Sequence, residues 1–285
     1  MNKNKKLFEK SSRDKKAFKY FIISFSVFIL LLSMASAFLF MYSIDFDFNN
    51  FVNKPDSETT ETQNDVTEII YTVDSLSGKS TVLFICADSK ENFDFAFTVN
   101  CDFDKQTMVV KCFDKQTVIP VGNSNLNCGE FYKNHSVQDF KRALANGYQI
   151  NADKYFICDR ASAKEILSLF DGVTVNVPEN VNYNSNGINL ELEKGEQNIS
   201  GAYALNYLLI SNNSTREKII CDIINSVLVP EYTDNSQKLF TSFVNAGETD
   251  ISVIDYSQAI EKLSIYANSE DKFLPLTNDE VGRDE

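Results

Sequence analysis

A single histidine, His135, serves all 285 residues, and none of the six cysteines stands in a Cys-x-x-Cys pair. Zinc sites are built from Cys and His at short, fixed spacings, so no zinc constellation can be read here. His135 has no acid or nucleophile beside it and reads as a loop histidine. Three of the cysteines lie inside apolar, strand-like runs, where a thiol behaves as a small buried hydrophobe. Outside the cytoplasm an even number would also permit disulfides, but the spacing of Cys86, Cys101, Cys112, Cys128, Cys158 and Cys221 suggests no framework.

Positive charge is scarce beyond the first twenty residues. Residues 1–19 hold Lys3, Lys5, Lys6, Lys10, Arg13, Lys15, Lys16 and Lys19 against Glu9 and Asp14, a net +6. The whole chain is −13, so the remainder sums to −19. Such an acidic body excludes nucleic acid as a partner, because phosphate backbones are held by Lys and Arg. The basic head reads instead as a membrane-orientation signal.

One long apolar run stands out. Tyr20 to Ile44 is 25 residues without a charge, and about 20 apolar residues cross a bilayer as a helix. Basic residues before it, and Asp45 and Asp47 after it, orient the N-terminus to the cytoplasm and the body to the outside. Ala35-Ser36-Ala37 has the look of a signal-peptide cleavage site, but the apolar run continues seven residues past Ala37, which favours an uncleaved anchor. Asp45 to Thr67, rich in Asp, Asn, Ser, Thr and Glu, reads as a flexible tether. The expected organisation is a basic head at 1–19, a transmembrane helix at 20–44, a linker at 45–67, one domain at 68–270 and a polar, frayed tail at 271–285.

Hydropathy is 43% apolar overall, enough for a substantial core. From Thr81 the pattern is that of a mixed α/β domain with a mixed central sheet flanked by helices. Residues 82–87 are apolar on both faces, the mark of a central strand. Two more strands follow, Phe93 to Cys101 and Thr107 to Phe113, separated by a turn at Asp102-Phe103-Asp104-Lys105. Asp88 lies just past the first strand, Asp94 opens the second, and Lys115-Gln116-Thr117 turns after the third. Residues 120–129 read as a loop. Ser136 to Asp139 predicts a capping box for a helix stopped at Gly147. A buried strand is expected at Tyr155–Cys158, a helix at 161–170, and a half-exposed strand at Val173–Val177 closed by Pro178. A polar loop at 180–189 and a short helix at Ser200–Leu208 follow. Ser214-Thr215-Arg216-Glu217 predicts a second capping box, and Ile219, Ile220, Ile223 and Val227 form the apolar face of its helix. Two amphipathic segments, 236–246 and 257–267, close the domain.

Several local signatures resemble, in one order, the LytR-CpsA-Psr family of bacterial membrane-anchored cell-wall proteins. Val82 to Ser89 is similar to the family's opening strand ending in Asp, and Phe93-Asp94-Phe95 sits where a second Asp precedes a strand. Gly172-Val173 to Val177-Pro178 resembles its Gly-Gly-Val-x-Val-x-Val-Pro strand, with Asp171 in place of the first Gly. Gly195-Glu196-Gln197 and Ser200 to Tyr207 resemble its Gly-x-Gln and Gly-x-x-Ala-Leu-x-Tyr pieces. The resemblance covers roughly residues 80–267. It implies a phosphotransferase that moves glycopolymer from a polyprenyl-pyrophosphate carrier to peptidoglycan at the cell membrane. By this resemblance Asp88 and Asp94 would hold Mg²⁺, Lys115 and Arg216 would take the catalytic and substrate-binding cationic positions, and an apolar pocket would take the lipid.

The chain departs from the family pattern in its cations. The family's Ser-x-Pro-Arg-Asp-Thr turn is here Cys112 to Thr117, with Lys115 and Gln116 for Arg and Asp. The Arg-x-Arg after the Ala-Leu-x-Tyr helix is replaced by Leu208 to Ser211. In the next arginine run only Arg216 remains. A diphosphate is matched by bidentate guanidinium groups better than by Lys. Two readings follow: a transferase of weak or lost activity, or a non-catalytic domain that binds lipid-linked glycan or a partner protein.

Overall fold

The computed structural model describes residues 73, 76–121 and 124–281. The predicted head, transmembrane helix and linker lie outside these residues. Among the described residues no helix is long and apolar enough to cross a membrane.

The chain opens with β1 (Lys79–Ala87), β2 (Phe93–Asp102) and β3 (Thr107–Asp114), then β4 (Val118–Val121), β5 (Ser124–Asn127), α1 (Cys128–Asn134) and α2 (Val137–Tyr148). Next come β6 (Lys154–Cys158), α3 (Arg160–Leu167), β7 (Val173–Val177), β8 (Val181–Ser185), β9 (Ile188–Leu192) and β10 (Gly195–Ile199). The remainder is α4 (Gly201–Ile210), α5 (Asn213–Val227), α6 (Pro230–Asp234), α7 (Ser236–Asn245), β11 (Glu248–Thr249), α8 (Val253–Asn268), β12 (Pro275–Thr277) and α9 (Asn278–Val281). Six strands form one mixed sheet in the order β11-β6-β1-β2-β3-β12. β1 runs antiparallel to β2 and parallel to β6. The fold is the mixed α/β class that the alternation of apolar runs and capped helices implies.

β1 is buried on both faces, as its unbroken apolar run requires. Leu83 and Ile85 point to a layer with Phe113, Phe131, Phe140 and Leu144, under α1 and α2. Cys86 points the other way, with Phe95, Val110 and Cys112, toward α4, α5 and β7. Phe140 and Leu144 are fully buried, and truncating a Phe in such a place costs about 3–5 kcal/mol. The hairpin at Asp102 forms as read, with Asp102 Oδ1 accepting from Lys105 N. The capping box at Ser136 and Asp139 forms in both directions. All six cysteines are free.

The structure corrects several expectations. Residues 120–129 are a short hairpin, β4–β5, followed by α1, whose N-cap is Asn127. Gly147 does not stop α2. That helix ends at Gln149 in the left-handed region (φ 59), and Gly147 instead leaves room for the ring of Pro120, 2.6 Å from where a Cβ would stand. The polar loop at 180–189 is a hairpin, β8–β9, turned by Asn186 and Gly187 at φ 51 and 76. Positive φ at both central residues is the geometry that Asn-Gly favours in a two-residue turn. The residues of the expected tail supply β12, which pairs in parallel with β3. Thr277 is buried there.

The box read at Ser214 also shifts. α5 is capped two residues earlier by Asn212, which accepts from Thr215 N at 2.9 Å. Glu217 is therefore freed from capping. Its buried carboxylate accepts the Cys112 N–H of β3 at 2.9 Å. Desolvation raises the Glu217 pKa from its ordinary 4.5, partly offset by the Cys112 and Asn278 backbone hydrogen bonds. The folded chain thus holds this proton more tightly than the unfolded chain does. Its contribution favours folding below an ordinary Glu pKa and is lost as pH rises through the raised one. Thermal melts of the 285-residue chain in detergent from about pH 4 to pH 7 should therefore show a fall in stability that Glu217→Gln flattens. Glu217→Ala, which orphans a buried N–H, should cost about 1–3 kcal/mol at all these pH values. An unchanged pH slope in Glu217→Gln would contradict this placement.

Candidate functional site

One end of the main sheet gathers the charged residues that the sequence singled out. β1 leaves the sheet at Ala87 through an irregularity between Cys86 and Ala87. The turn that follows is closed by Asp88 N–H donating to Asn92 O and Asn92 N–H donating to Ser89 O. Asp88 is thereby held at the rim, one strand away from Asp94 at the start of β2. The pairing of Phe95 with Asp114 places Lys115 across from Asp94 on the neighbouring strand. β6 runs parallel to β1 with Cys158 beside Cys86, so the chain leaving β6 emerges beside Asp88.

The residue that emerges there is Arg160, the first residue of α3. Its Nε donates to Asp94 Oδ2 at 2.7 Å and its Nη2 to Asp94 Oδ1 at 2.5 Å. Its backbone N–H donates to Asp88 Oδ1 at 3.1 Å, and its Nε lies 3.8 Å from Asp88 Oδ2. One residue thus ties both carboxylates, through a bidentate fork on one and the helix N-terminus on the other. Asp94 is the deeper acid, 12% exposed against 42% for Asp88, so the fork to Asp94 is the less screened pair. The hydrogen bonds to Asp94 bind the Arg160 proton still more firmly. Sequence reasoning missed Arg160. A signal was present: Phe84-Ile85-Cys86 and Phe156-Ile157-Cys158 pair residue for residue across the parallel strands. Two steps beyond each Cys stand Asp88 and Arg160.

Arg216 has a different environment. It is 3% exposed. Its Nε donates to Leu208 O at 2.9 Å, its Nη2 to Ser211 O at 2.5 Å and its Nη1 to Asn213 Oδ1 at 2.8 Å. Its guanidinium lies over the Phe95 ring, 4.7 Å from the centroid. Two of these acceptors are carbonyls at the C-terminal end of α4, which no further helical turn can satisfy. Desolvation lowers the Arg216 pKa, and the neighbouring Cys112, Asp114 and Asp94 oppose that. Lys115 is exposed on the β3–β4 turn. That turn is fixed by Asp114 Oδ1, which accepts from Gln116 N, Thr117 N and Thr117 Oγ1. Asn213 Nδ2 donates to Thr117 Oγ1 at 3.0 Å, so hydrogen bonds connect the Lys115 turn to Arg216.

Two carboxylates at adjacent strand ends are the donor type magnesium uses, completed by water and ligand phosphate. In this chain both oxygens of Asp94 and one of Asp88 are taken by Arg160. No cluster of three or more His, Cys, Asp or Glu able to hold a metal occurs among the described residues. The residues present therefore do not fit an ion unless Arg160 leaves.

Behind the charged rim, the α4–α5 face of the sheet is apolar and incompletely filled. A cavity of about 200 Å³ lies between Phe84, Phe97 and Phe156 of the sheet and Leu208 and Ile223 of the helices. Its wall includes Cys86, Phe95 and Cys158, the last residues before the rim. It shares Phe84, Val99 and Ile224 with a second cavity of about 570 Å³, which reaches Gly78 at the far end of β1. A third, of about 300 Å³, shares Val82, Leu228 and Leu263 with the second and Phe156 and Phe243 with the first. Together their walls follow β1 from Gly78 to Cys86.

Comparison with known proteins gives a family and a fold. A family model, the LytR_cpsA_psr family, matches residues 46–219. Among solved structures, a candidate transcription regulator of Eubacterium siraeum DSM 15702 superposes with a TM-score of 0.62 at 15% identity, covering 78% of this chain and 89% of that one. TagV of B. subtilis superposes with a TM-score of 0.58 at 19% identity, covering 71% and 85%. A structure of TagT bound to LI-WTA gives 0.50 at 12% identity, covering 70% and 79%. The search of curated proteins finds no match.

The Arg216 geometry makes a prediction of its own. Arg216→Met leaves two helix-end carbonyls and Asn213 Oδ1 without their donor, and should lower the unfolding free energy by about 2–5 kcal/mol. Chemical denaturation measures this. An Arg216→Met chain as stable as the parent would mean that the guanidinium is not structural.

Proposed function

The chain belongs to the LytR-CpsA-Psr family, and from that membership we propose that it is a cell-envelope protein that holds polyprenyl-pyrophosphate-linked glycopolymer. In this reading residues 20–44 anchor it in the cell membrane as a single pass. The N-terminus lies in the cytoplasm, and the α/β domain faces the wall, where peptidoglycan is the acceptor. The observation that carries the reading is the set of adjacent cavities on one face of the sheet, walled by α4 and α5 nearest the rim and by α7 and α8 farther out. The nearest has Cys86, Phe95 and Cys158 in its wall beside Asp88, Asp94 and Arg160. Apolar walls with ionic groups at the rim, and with Lys79, Asp153, Lys154, Asp255 and Lys262 around the far cavity, match an amphiphile with a long hydrocarbon tail and an anionic head. A nucleic-acid role, which regulator names on several structural neighbours suggest for those proteins, is disfavoured here by the acidic body.

Phosphotransfer to peptidoglycan is weak or lost in this reading. Phosphoryl transfer depends on cations positioned on the transferred group and the leaving group. Of the candidate cations, Arg216 spends its guanidinium on carbonyls and Asn213, and Arg160 spends two of its donors on Asp94. Lys115 offers a point charge without a planar fork. Each charge-assisted contact foregone is worth about 1.5–3 kcal/mol, and each 1.4 kcal/mol of barrier is about tenfold in rate. The function that remains is retention: binding lipid-linked glycan at the membrane surface, or presenting it to a partner protein.

The test is binding and turnover by the 285-residue chain in detergent with a polyprenyl diphosphate. Ile223→Glu sets an unpaired carboxylate in the cavity nearest the rim, which should weaken binding by at least about tenfold. Wild-type turnover, with or without Mg²⁺, should stay near background. Binding unaffected by Ile223→Glu would remove the cavities from the account. Turnover lost in Asp88→Ala would restore the transferase reading.

A further inference from the structure

We infer that Arg160 takes the place of a divalent cation at the Asp88–Asp94 pair, so that this site meets an anionic head group without magnesium. The inference rests on reading the sheet end as the ligand's anion site. It adds which positive charge works there.

A metal at paired carboxylates does two things. It neutralises their charge, and it offers the remaining coordination positions to phosphate oxygens. Arg160 does the second, and the first by half, with one positive charge against two carboxylates. Nε and Nη2 cover the two oxygens of Asp94, and the backbone N–H covers Asp88 Oδ1. The fork uses one edge of the guanidinium. The Nη1 edge makes no hydrogen bond to the described residues, and the side chain is 46% exposed. That edge presents two N–H groups in the planar arrangement that fits a phosphate. Arg216 cannot substitute, because its three nitrogens already donate to Leu208, Asn213 and Ser211.

The position is also held more rigidly than a surface arginine. Asp159 caps α3 by accepting from Ser162 N at 2.7 Å. The parallel pairing of β6 with β1 fixes where α3 starts relative to Asp88. The guanidinium carbon therefore hangs from a backbone anchored at both Asp88 and the helix cap. A metal ion would have to displace the fork and then stand beside a guanidinium that cannot lose its charge.

The experiment is Mn²⁺ uptake by the full-length chain in detergent, followed by the loss of the free-ion electron paramagnetic resonance signal. Only uptake that disappears in Asp94→Asn counts, which subtracts weak binding to the acidic surface. The wild type should show none. Arg160→Met and Arg160→Gln remove the internal cation, and either one, shown folded by circular dichroism, should acquire one Mn²⁺ at least about tenfold more tightly than the wild type. Arg160→Lys, which keeps a charge, should stay close to the wild type. Asp94-dependent Mn²⁺ uptake by the wild type itself overturns the inference, whatever the variants do. So does failure of both neutral variants to gain a site. The readout needs no lipid, so failure of the lipid-cavity reading leaves it intact, and its failure leaves lipid binding to be judged separately.

Discussion

The constraint on which the rest of this domain depends is the burial of one arginine. Arg216 sits in the first turns of α5, where the helix dipole disfavours a cation, yet it is almost completely removed from water. Such a charge is tolerable only when its donors are satisfied. Three carbonyl-type oxygens do that, two of them from the end of α4, while Phe95 of the central sheet covers the guanidinium face. A single side chain thereby fixes the α4–α5 corner against β2. Glu217, the next residue, fixes the same helix to β3 through Cys112. With those two ties the first turns of α5 pack on β3 and β7, and the cavity opens beside its later turns, at Ile223 and Ile224.

At the sheet end in front of that corner, Asp88, Asp94 and Asp114 stand with Arg160, Arg216 and Lys115, and most of the six are already engaged with one another or with backbone. A site that drives diphosphate chemistry needs an excess of positive charge aimed at the place where negative charge develops. This one has little to spare beyond the free edge of Arg160 and the exposed Lys115. Binding by apolar burial with a modest ionic contact at the head fits that arrangement.

Much of this was legible in the residues. The central strand followed from an apolar run with no alternation, and the capping box at Ser136 from a hydroxyl and a carboxylate at the right spacing. The β8–β9 hairpin carries its signal at Asn186-Gly187, but that pair lies in a polar stretch whose flanking Tyr183, Leu190 and Leu192 alternate only weakly. The box at Ser214 misled for a physical reason. Asn212 competes for the same helix end, and Glu217 does more by reaching Cys112 across the packing interface than by reaching back. Gly147 looked like a stop but is a close-approach glycine. β12 was hidden because a three-residue edge strand carries too little pattern to be seen. For the site, Asp88 and Asp94 could be placed from strand ends alone. Arg160 could not, because its meaning comes from a parallel pairing between segments some seventy residues apart. Nor does sequence reveal that Arg216 faces inward.

The central claim is that the adjacent apolar cavities beside the Arg160 rim receive the ligand's lipid. A polyprenyl diphosphate bearing a photoreactive group in its tail tests it most directly, with the cross-linked peptides of the full-length chain read by mass spectrometry. The account predicts labels on cavity residues such as Ile223, Ile224 and Leu263, and their loss when unlabelled lipid competes. Labels confined to surfaces outside these cavities, or unchanged by competitor, would contradict it.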